Sequence, residues 1–383
     1  MLFKTIAIFG STGSIGKSTL NVIRNDREKF SIKILIAKND VKTLIEQANE
    51  FQPEYVVIEN ENLLTELQFG LKHLKTCKVF AGIQAILDVA KIQCDLVVSA
   101  IVGSAGVRPT LNAISAKSNI ALANKESLVC AGEIIMRQAK INNVKIIPVD
   151  SEHNAIFQIF EQDNLALIDD ITLTASGGPF FNSNRNFKDI TVAEALKHPN
   201  WNMGAKISID SATMMNKGLE MIEAYYLFPI GKEQIKILVH PQSIIHGFVN
   251  YKDGASLAML SLPDMQVPIS YALNYPLRMS IKIPKMDLSK IHKLEFYEAN
   301  DQKFEAIKIC RQALEVGGNA LVILNASNEI AVEKFLRNEI SFDQITKIVS
   351  QTLEKIPAKK LDSIDEVMLN DFNAREIAKN IKF

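Results

Sequence analysis

Between residues 3 and 149, seven strand-length runs rich in β-branched residues recur in order: KTIAIFG, SIKILIA, EYVVI, KVFAG, DLVVSAI, NIALA and VKIIPVD. Amphipathic segments such as Thr19 to Asn25 and Glu126 to Ala139 separate them. Short apolar strands alternating with helices have few ways to bury both kinds of surface, and the alternation predicts an α/β, Rossmann-like, doubly wound parallel sheet. After Asp150 the rhythm changes. A helical pattern (HNAIFQIFEQ) leads to the strand DITLTAS, a passage rich in Gly, Pro and Asn from Gly177 to Asn186, and the strand candidates KISID, KILVH and ASLAML. These predict an α+β catalytic segment over 150–274. Residues 275–300, rich in Pro and polar side chains, read as a linker, and 301–383 as a C-terminal helical bundle punctuated by Gly317, Gly318 and Pro357.

Forty-three basic residues balance forty-three acidic ones in the 383-residue chain. With no bulk field to attract nucleic acid or an anionic membrane, the expected partner is a small ligand read locally. The longest apolar runs, such as Leu96 to Val102, fall far short of the roughly 20 residues that a bilayer requires. A strand candidate beginning at Phe3 leaves no room for a signal or transit peptide, and four scattered cysteines without a CxxC pair suit reduced thiols. A cytoplasmic protein is expected.

Gly10-Ser-Thr-Gly13-Ser-Ile-Gly16 follows the first strand and opens a helix. In that context a glycine turn lets backbone amides approach a pyrophosphate, although a plain tight turn has the same composition and the spacing is GxxGxxG, not GxGxxG. The second strand ends in Ala37-Lys38-Asn39, where an NAD site usually carries an acid for the ribose hydroxyls. A cation there favours the 2′-phosphate of NADP, while Asp40, next in line, argues for NAD. NADP is the expectation, with Lys38 and Asn39 as its readers.

Two further groups of residues carry chemistry. Asp150 and Glu152 stand just past the seventh strand, and extended residues i and i+2 point the same way. Paired carboxylates repel unless a cation or a proton sits between them, and hard oxygen donors select Mg2+ or Mn2+. The plainer alternative is a helix start, with Ser151 as cap and Glu152 as first-turn acid. Later, SATMMNKGLEMIE, laid out as one helix from Ser211 to Glu223, gathers Thr213, Asn216, Lys217, Glu220 and Glu223 within an arc of about 120°, while Met and Leu cover most of the rest. Such a helix is buried, and its charges need partners. Lys217 pairing with Glu220 at i, i+3 is one solution. The other is a stripe facing a ligand, with amide, ammonium and hydroxyl on a phosphate and Glu220 as a third metal ligand.

Ser176-Gly177-Gly178-Pro179 ends a strand where amides could point at an anion. HPNWNMG, His198 to Gly204, holds the only tryptophan in a polar loop suited to a lid or, equally, to anchoring a core. His153, His240, Ser243 and His246 read as structural.

GSTGSIG, AIVGSAG, LANKES, PVDSEHNAIFQ, SGGPF, HPNWNMG, ISIDSATMMNKGLEMIEA, HPQSIIHG and LNASNE occur in the order seen in the 1-deoxy-D-xylulose 5-phosphate reductoisomerase family, which the chain resembles from residue 4 to 383. The resemblance implies rearrangement of 1-deoxy-D-xylulose 5-phosphate and its reduction by NADPH, on Mg2+ or Mn2+, to 2-C-methyl-D-erythritol 4-phosphate in non-mevalonate isoprenoid synthesis. It also implies a homodimer. It makes Asp150, Glu152 and Glu220 the metal ligands, and Ser176, Ser211, Asn216 and Lys217 the phosphate site. Lys125 and Ser151 fall on the sugar, with Lys125 and Glu152 catalytic, and His198, Trp201 and Met203 on the closing loop. Gly10, Thr12, Gly13, Ser14, Ile15, Asn124, Glu126 and Gly204 fall on the dinucleotide. Where the family commonly reads Ala-Gly-x-Asn, this chain reads Ala37-Lys38-Asn39-Asp40. Rival readings are a metal-dependent sugar-phosphate isomerase or aldolase without hydride transfer, and a nucleotide-sensing protein without turnover.

Overall fold

The computed structural model describes residues 3–183, 185–198, 201, 203–300 and 303–383. The expectations that touch residues 184, 199, 200, 202, 301 and 302 lie outside the described residues. The chain divides into two compact units.

The first unit comprises residues 1–127, 135–150 and 264–283. Its strands are β1 (Lys4–Phe9), β2 (Phe30–Ala37), β3 (Tyr55–Ile58), β4 (Lys78–Ala81), β5 (Leu96–Ser99), β6 (Asn119–Leu122) and β7 (Ile146–Pro148). All pair in parallel, in the order β4-β3-β2-β1-β5-β6-β7. Strands covered by helices on both faces must be apolar throughout, and Ile6 to Phe9 and Ile34 to Ala37 are all buried. The order reverses direction between β1 and β5, and in open sheets of this kind the ligand crevice lies beyond the carboxyl ends of the strands at that point. The seven strands read from the sequence are these seven. Residues 264–283 also pack in this unit, with helix Gln266–Asn274 against helix Ser14–Arg24, so the first compact unit includes part of the segment that the sequence pattern joined to 150–274.

The second unit holds residues 128–134, 151–263 and 284–383. Its mixed sheet runs β11-β10-β8-β9-β12, from β8 (Ile168–Ala175), β9 (Ile235–Val239), β10 (Ile245–Tyr251), β11 (Ser256–Leu260) and β12 (Tyr297–Glu298). Helix Met215–Leu227 lies in one core with Ile171, Leu173 and Ile235 of the sheet and with Cys310, Leu321 and Leu324 of the C-terminal helices. Apolar neighbours from two layers explain why its sequence is apolar round most of its circumference. The C-terminal helices are Glu305–Val316, Asn319–Leu336, Gln344–Lys355 and Ile364–Asn380, the bundle expected from the sequence.

Three expectations are corrected. KISID is not a strand but part of helix Ala205–Thr213: Ser208, Ile209, Ala212 and Thr213 are buried at helical spacing, and Ser208 Oγ donates to the Gly204 carbonyl at 3.1 Å. Five residues of β-branched alternation were too few to separate the two periods. The stretch from Ser211 to Glu223 is not one helix. Met214 takes a left-handed conformation, φ 63°, ending one helix at Thr213 and starting the next at Met215. Strand β10, interrupted in sequence by His246, Gly247 and Asn250, was not anticipated.

Leu219 is fully buried between the sheet and the C-terminal helices. Leu219→Ala is expected to lower the unfolding free energy by about 2–5 kcal/mol in urea titration, because the layers on either side cannot both collapse into the space.

Candidate functional site

In the first unit the glycine loop leaves β1 at the switch point. Gly10 has φ 90°, and a Cβ there would lie 2.6 Å from the Ala100 carbonyl oxygen beyond β5, so only glycine allows this approach. Gly13 caps helix Ser14–Arg24, whose first turn has no acidic residue to compete for an anion. Thr12, Gly13, Ser14 and Ile15 are exposed or half-buried, and the buried Gln47 amide holds the loop by donating to the Ser11 carbonyl at 2.9 Å. From β6, Asn124 caps helix Lys125–Ile141 through Ser127 and also donates to the Gly103 carbonyl at 2.9 Å, binding two strand ends together. Lys125 and Glu126 follow it, both buried, and Lys125 pairs with Asp150 Oδ2 at 2.7 Å.

Beyond β2, Lys38 is exposed and sits 3.5 Å from Glu59 at the end of β3, while the Asn39 side chain accepts from Asn60. The Asp40 carboxylate caps helix Val41–Phe51 by accepting from the Thr43 amide at 3.2 Å.

In the second unit, Ser151 begins helix Ser151–Ile159, so Glu152 lies in a first turn. The expectation that Asp150 and Glu152 share one side of an extended segment is therefore corrected, and the plainer helix-start geometry is the one found, because β7 ends at Pro148. Glu152 nevertheless has a ligand-like environment. Its Oε2 accepts from Ser151 Oγ at 2.7 Å and its Oε1 from Lys217 Nζ at 2.8 Å. Lys217 also donates to Glu220 Oε2, and Asn216 to Glu220 Oε1. The pairing of Lys217 with Glu220 anticipated from i, i+3 spacing is present, but on a buried face: Lys217 is 3% exposed and Glu220 2%.

Burial pushes the Glu152 carboxyl up, but the charge and hydrogen bond of Lys217 outweigh it and hold the group down to about 2. Burial alone would lower Lys217, and the two carboxylates raise it instead. Two acids thus converge on one positive centre within a shell of apolar residues.

His153, read from the sequence as structural, contributes more than packing. It is fully buried, with Nε2 2.8 Å from the Glu220 carbonyl oxygen and Nδ1 3.3 Å from Glu223 Oε2. It therefore fixes the turn of helix Met215–Leu227 that presents Glu220. The spacing in DSEHN held no signal for this, since the partners come from 67 and 70 residues away in the chain.

The remaining predicted residues surround the helix elbow at Met214. A Cβ on Gly178, φ 66°, would meet the Ser211 carbonyl oxygen at 2.7 Å, so the glycine turn lets the end of β8 touch the elbow, bringing the Ser176 and Ser211 segments together. Ser176 Oγ lies 3.0 Å from His198 Nε2, and His198 Nδ1 accepts from the Trp201 amide at 3.0 Å. The Trp201 ring stands edge-on to His246, 6.4 Å between centroids. Burial lowers both histidines, with Glu152 pulling His246 partly back. Met203 is half-buried, and Gly204 is the exposed cap of helix Ala205–Thr213. His240 is structural as read, bonding the Glu295 carbonyl and stacking on Phe296.

Three family models match the chain in order: 1-deoxy-D-xylulose 5-phosphate reductoisomerase over residues 6–132, the C-terminal domain of that enzyme over 146–228, and the DXP reductoisomerase C-terminal domain over 260–377. The chain belongs to the 1-deoxy-D-xylulose 5-phosphate reductoisomerase family. Relatives of that name from Vesicomyosocius okutanii and Clostridium tetani are 47% and 46% identical, the matches covering 99% and 96% of this chain and 98% and 97% of the relatives. Among solved structures, the reductoisomerase from Zymomonas mobilis in complex with NADPH matches with a TM-score of 0.93 at 39% identity, covering 99% of this chain and 98% of that one. A DOX-P reductoisomerase in complex with NADPH, fosmidomycin and magnesium matches with a TM-score of 0.92 at 38% identity, covering 98% and 97%. The fold expected from the sequence is the fold of this family.

Removing the Lys217 charge leaves two acids facing one another in an apolar setting. In metal-free buffer, Lys217→Met is expected to lose about 3–5 kcal/mol of stability near neutral pH. Because a carboxyl held low contributes stability above its unfolded value and loses it as pH falls through its folded value, the gap between the two proteins should narrow between pH 4.5 and about 2. Denaturant titrations across that range measure it.

Proposed function

We propose that this chain converts 1-deoxy-D-xylulose 5-phosphate to 2-C-methyl-D-erythritol 4-phosphate, using NADPH and Mg2+ or Mn2+. The observation that carries the reading is the buried meeting of Glu152 and Glu220 on a single cation beside a cluster of hydroxyls, amides and imidazoles, in a chain of this family. A regulatory nucleotide sensor has no use for such a cluster.

The donor chemistry fits a divalent ion. Glu152 and Glu220 offer hard oxygens already aimed at one positive charge, and Asp150, directly before Ser151 in the chain, would complete the set. When bound, the ion supplies Lewis acidity for a ketone and its neighbouring hydroxyl. The chain's own groups account for the rest. Ser176, Ser211, Asn216 and Lys217 hold the phosphate, so that binding energy realised at a non-reacting end orients the carbons that rearrange. Lys125, buried and cationic, stabilises oxygen charge on the sugar, and Ser151 positions it. Glu152, kept ionised by Lys217, accepts a proton at its carboxylate. His198, Trp201 and Met203 close over the substrate and keep water from the intermediate aldehyde, with the His198 imidazole sharing the Ser176 hydroxyl.

NADPH binds the first unit through Gly10, Thr12, Gly13, Ser14, Ile15, Asn124 and Glu126. Lys38 and Asn39 read the 2′-phosphate. The chain works as a cytoplasmic homodimer on a small sugar phosphate, and no helix among the described residues is long and apolar enough to cross a membrane.

Purified protein given the pentulose phosphate, NADPH and Mn2+ should oxidise one NADPH per product, and EDTA should abolish the reaction. Glu220→Gln should lower turnover at least about a hundredfold and weaken Mn2+ binding in calorimetry without loss of folded structure. A product formed without NADPH consumption would favour the isomerase or aldolase alternative. Lys38→Ala should raise the KM for NADPH about tenfold, equivalent to about 1.4 kcal/mol, and leave that for NADH nearly unchanged. An unmoved NADPH constant would assign the 2′-phosphate to another group.

A further inference from the structure

The motif LNASNE lies far along the chain from the residues assigned above. In helix Asn319–Leu336 it places Asn325, Ser327 and Asn328 at 0% exposure. Three polar side chains within about one turn inside an apolar bundle are costly unless each bond they make is used. Ser327 returns its hydroxyl to the Ile323 carbonyl of its own helix, which satisfies it locally. Asn325 donates to Glu329 Oε1 at 2.9 Å, and Glu329 is held by Arg375 of helix Ile364–Asn380 at 2.6 Å. Asn328 is different. It reaches out of its helix and donates from Nδ2 to Asp210 Oδ1 at 2.8 Å, across 118 residues of sequence.

Asp210 is 1% exposed and immediately precedes Ser211. Its other oxygen, Oδ2, pairs with Lys206 at 3.0 Å one turn earlier in the same helix. The carboxylate is therefore tied on one side to the turn that follows the Trp201 loop and on the other to the C-terminal bundle. Three residues beyond Asp210 the helix stops, and the left-handed Met214 turns the chain into the helix that carries Asn216 and Lys217. Inside the elbow, Thr213 Oγ1 bonds the Ile209 carbonyl and accepts from the Met215 amide, both within the same short segment. Among the described contacts, the Asn328 bond is the polar one that fixes the last turn of helix Ala205–Thr213 against the bundle.

The Asn328 carbonyl oxygen has no hydrogen-bond partner among the described residues. A buried amide with one end unsatisfied, on a buried carboxylate, is a poor solution for stability alone, since an apolar pair of like shape would serve at least as well. The bond does confer direction. Apolar packing permits a helix end to roll, whereas an amide-to-carboxylate bond of fixed geometry does not.

We propose that Asn328 is a positioning residue for the phosphate anchor, acting through Asp210 to hold the Ser211 turn at the orientation in which its hydroxyl meets the sugar phosphate. The inference rests on the phosphate-site reading given above. The C-terminal bundle then takes part in substrate binding without touching substrate, and the Asn328–Asp210 bond is its point of attachment. Loss of the bond acts on the substrate end of the site and leaves the cofactor alone.

The test is steady-state kinetics of Asn328→Leu, Asn328→Asp and the exchanged pair Asp210→Asn/Asn328→Asp, with Ser211→Ala as reference. Asn328→Leu should raise the KM for 1-deoxy-D-xylulose 5-phosphate about tenfold with a smaller loss in kcat, and leave the KM for NADPH and the melting temperature close to those of the parent. Asn328→Asp, which sets two carboxylates against each other, should raise it further, and the exchanged pair, which restores one donor and one acceptor across the same contact, should recover most of the loss. A merely structural asparagine would change kcat, both KM values and the melting temperature together, and the exchanged pair would fare no better than the single variants. That result, or an unchanged substrate KM in Asn328→Leu, overturns the proposal. If Ser211→Ala itself leaves the substrate KM unchanged, the phosphate-site reading has failed; if Ser211→Ala raises it and Asn328→Leu does not, only the role of Asn328 has failed.

Discussion

An ammonium group buried between two carboxylates governs the second unit. Lys217 cannot reach solvent, so its charge is sustained by Glu152 and Glu220, and they in turn are kept ionised in an apolar surrounding by Lys217. The arrangement is imposed by packing. Helix Met215–Leu227 has the β8–β9 region on one flank and the C-terminal helices on another, and its remaining polar edge meets the first turn of helix Ser151–Ile159. Removing Lys217 leaves both acids without compensation, whereas removing one acid leaves an ammonium–carboxylate pair, so the three residues form a single electrostatic unit centred on the lysine.

Around that unit the backbone is shaped by two departures from regular structure. Met214 breaks a helix in two, and Gly178 lets a strand end press against the break. Together they gather hydroxyl, amide and ammonium groups that a continuous helix would have spread along its length. Burial in the same locality lowers His198 and His246, and at His246 the Lys217 charge adds to it against the pull of Glu152.

The first unit follows a different logic. Its sheet is apolar on both faces, and Gly10, Asn124 and Lys125 emerge from strand ends close to the reversal of strand order. Small changes at those ends redirect recognition without disturbing the core. Lys38 is exposed and, among the described residues, paired with Glu59, so its charge is available to a ligand at little structural cost.

Much of this was legible in the sequence. The strands of the parallel sheet were, because each is a continuous apolar run bounded by helices, and local composition is what the burial of both faces requires. So were the burial of helix Met215–Leu227 and the need of its charges for partners. Of the partners, only the local pairing of Lys217 with Glu220 was legible, and the distant ones were not. His153 on Glu223, Lys217 on Glu152 and Asn328 on Asp210 join residues 65 to 118 positions apart, and nothing in spacing encodes which buried donor meets which acceptor. KISID and the elbow at Met214 escaped for a related reason: short segments of mixed propensity take the conformation their neighbours impose. Sequence alone determined which surfaces had to be buried and which charges had to be neutralised. Tertiary structure decided with what, since that depends on how whole layers of structure come to rest against each other.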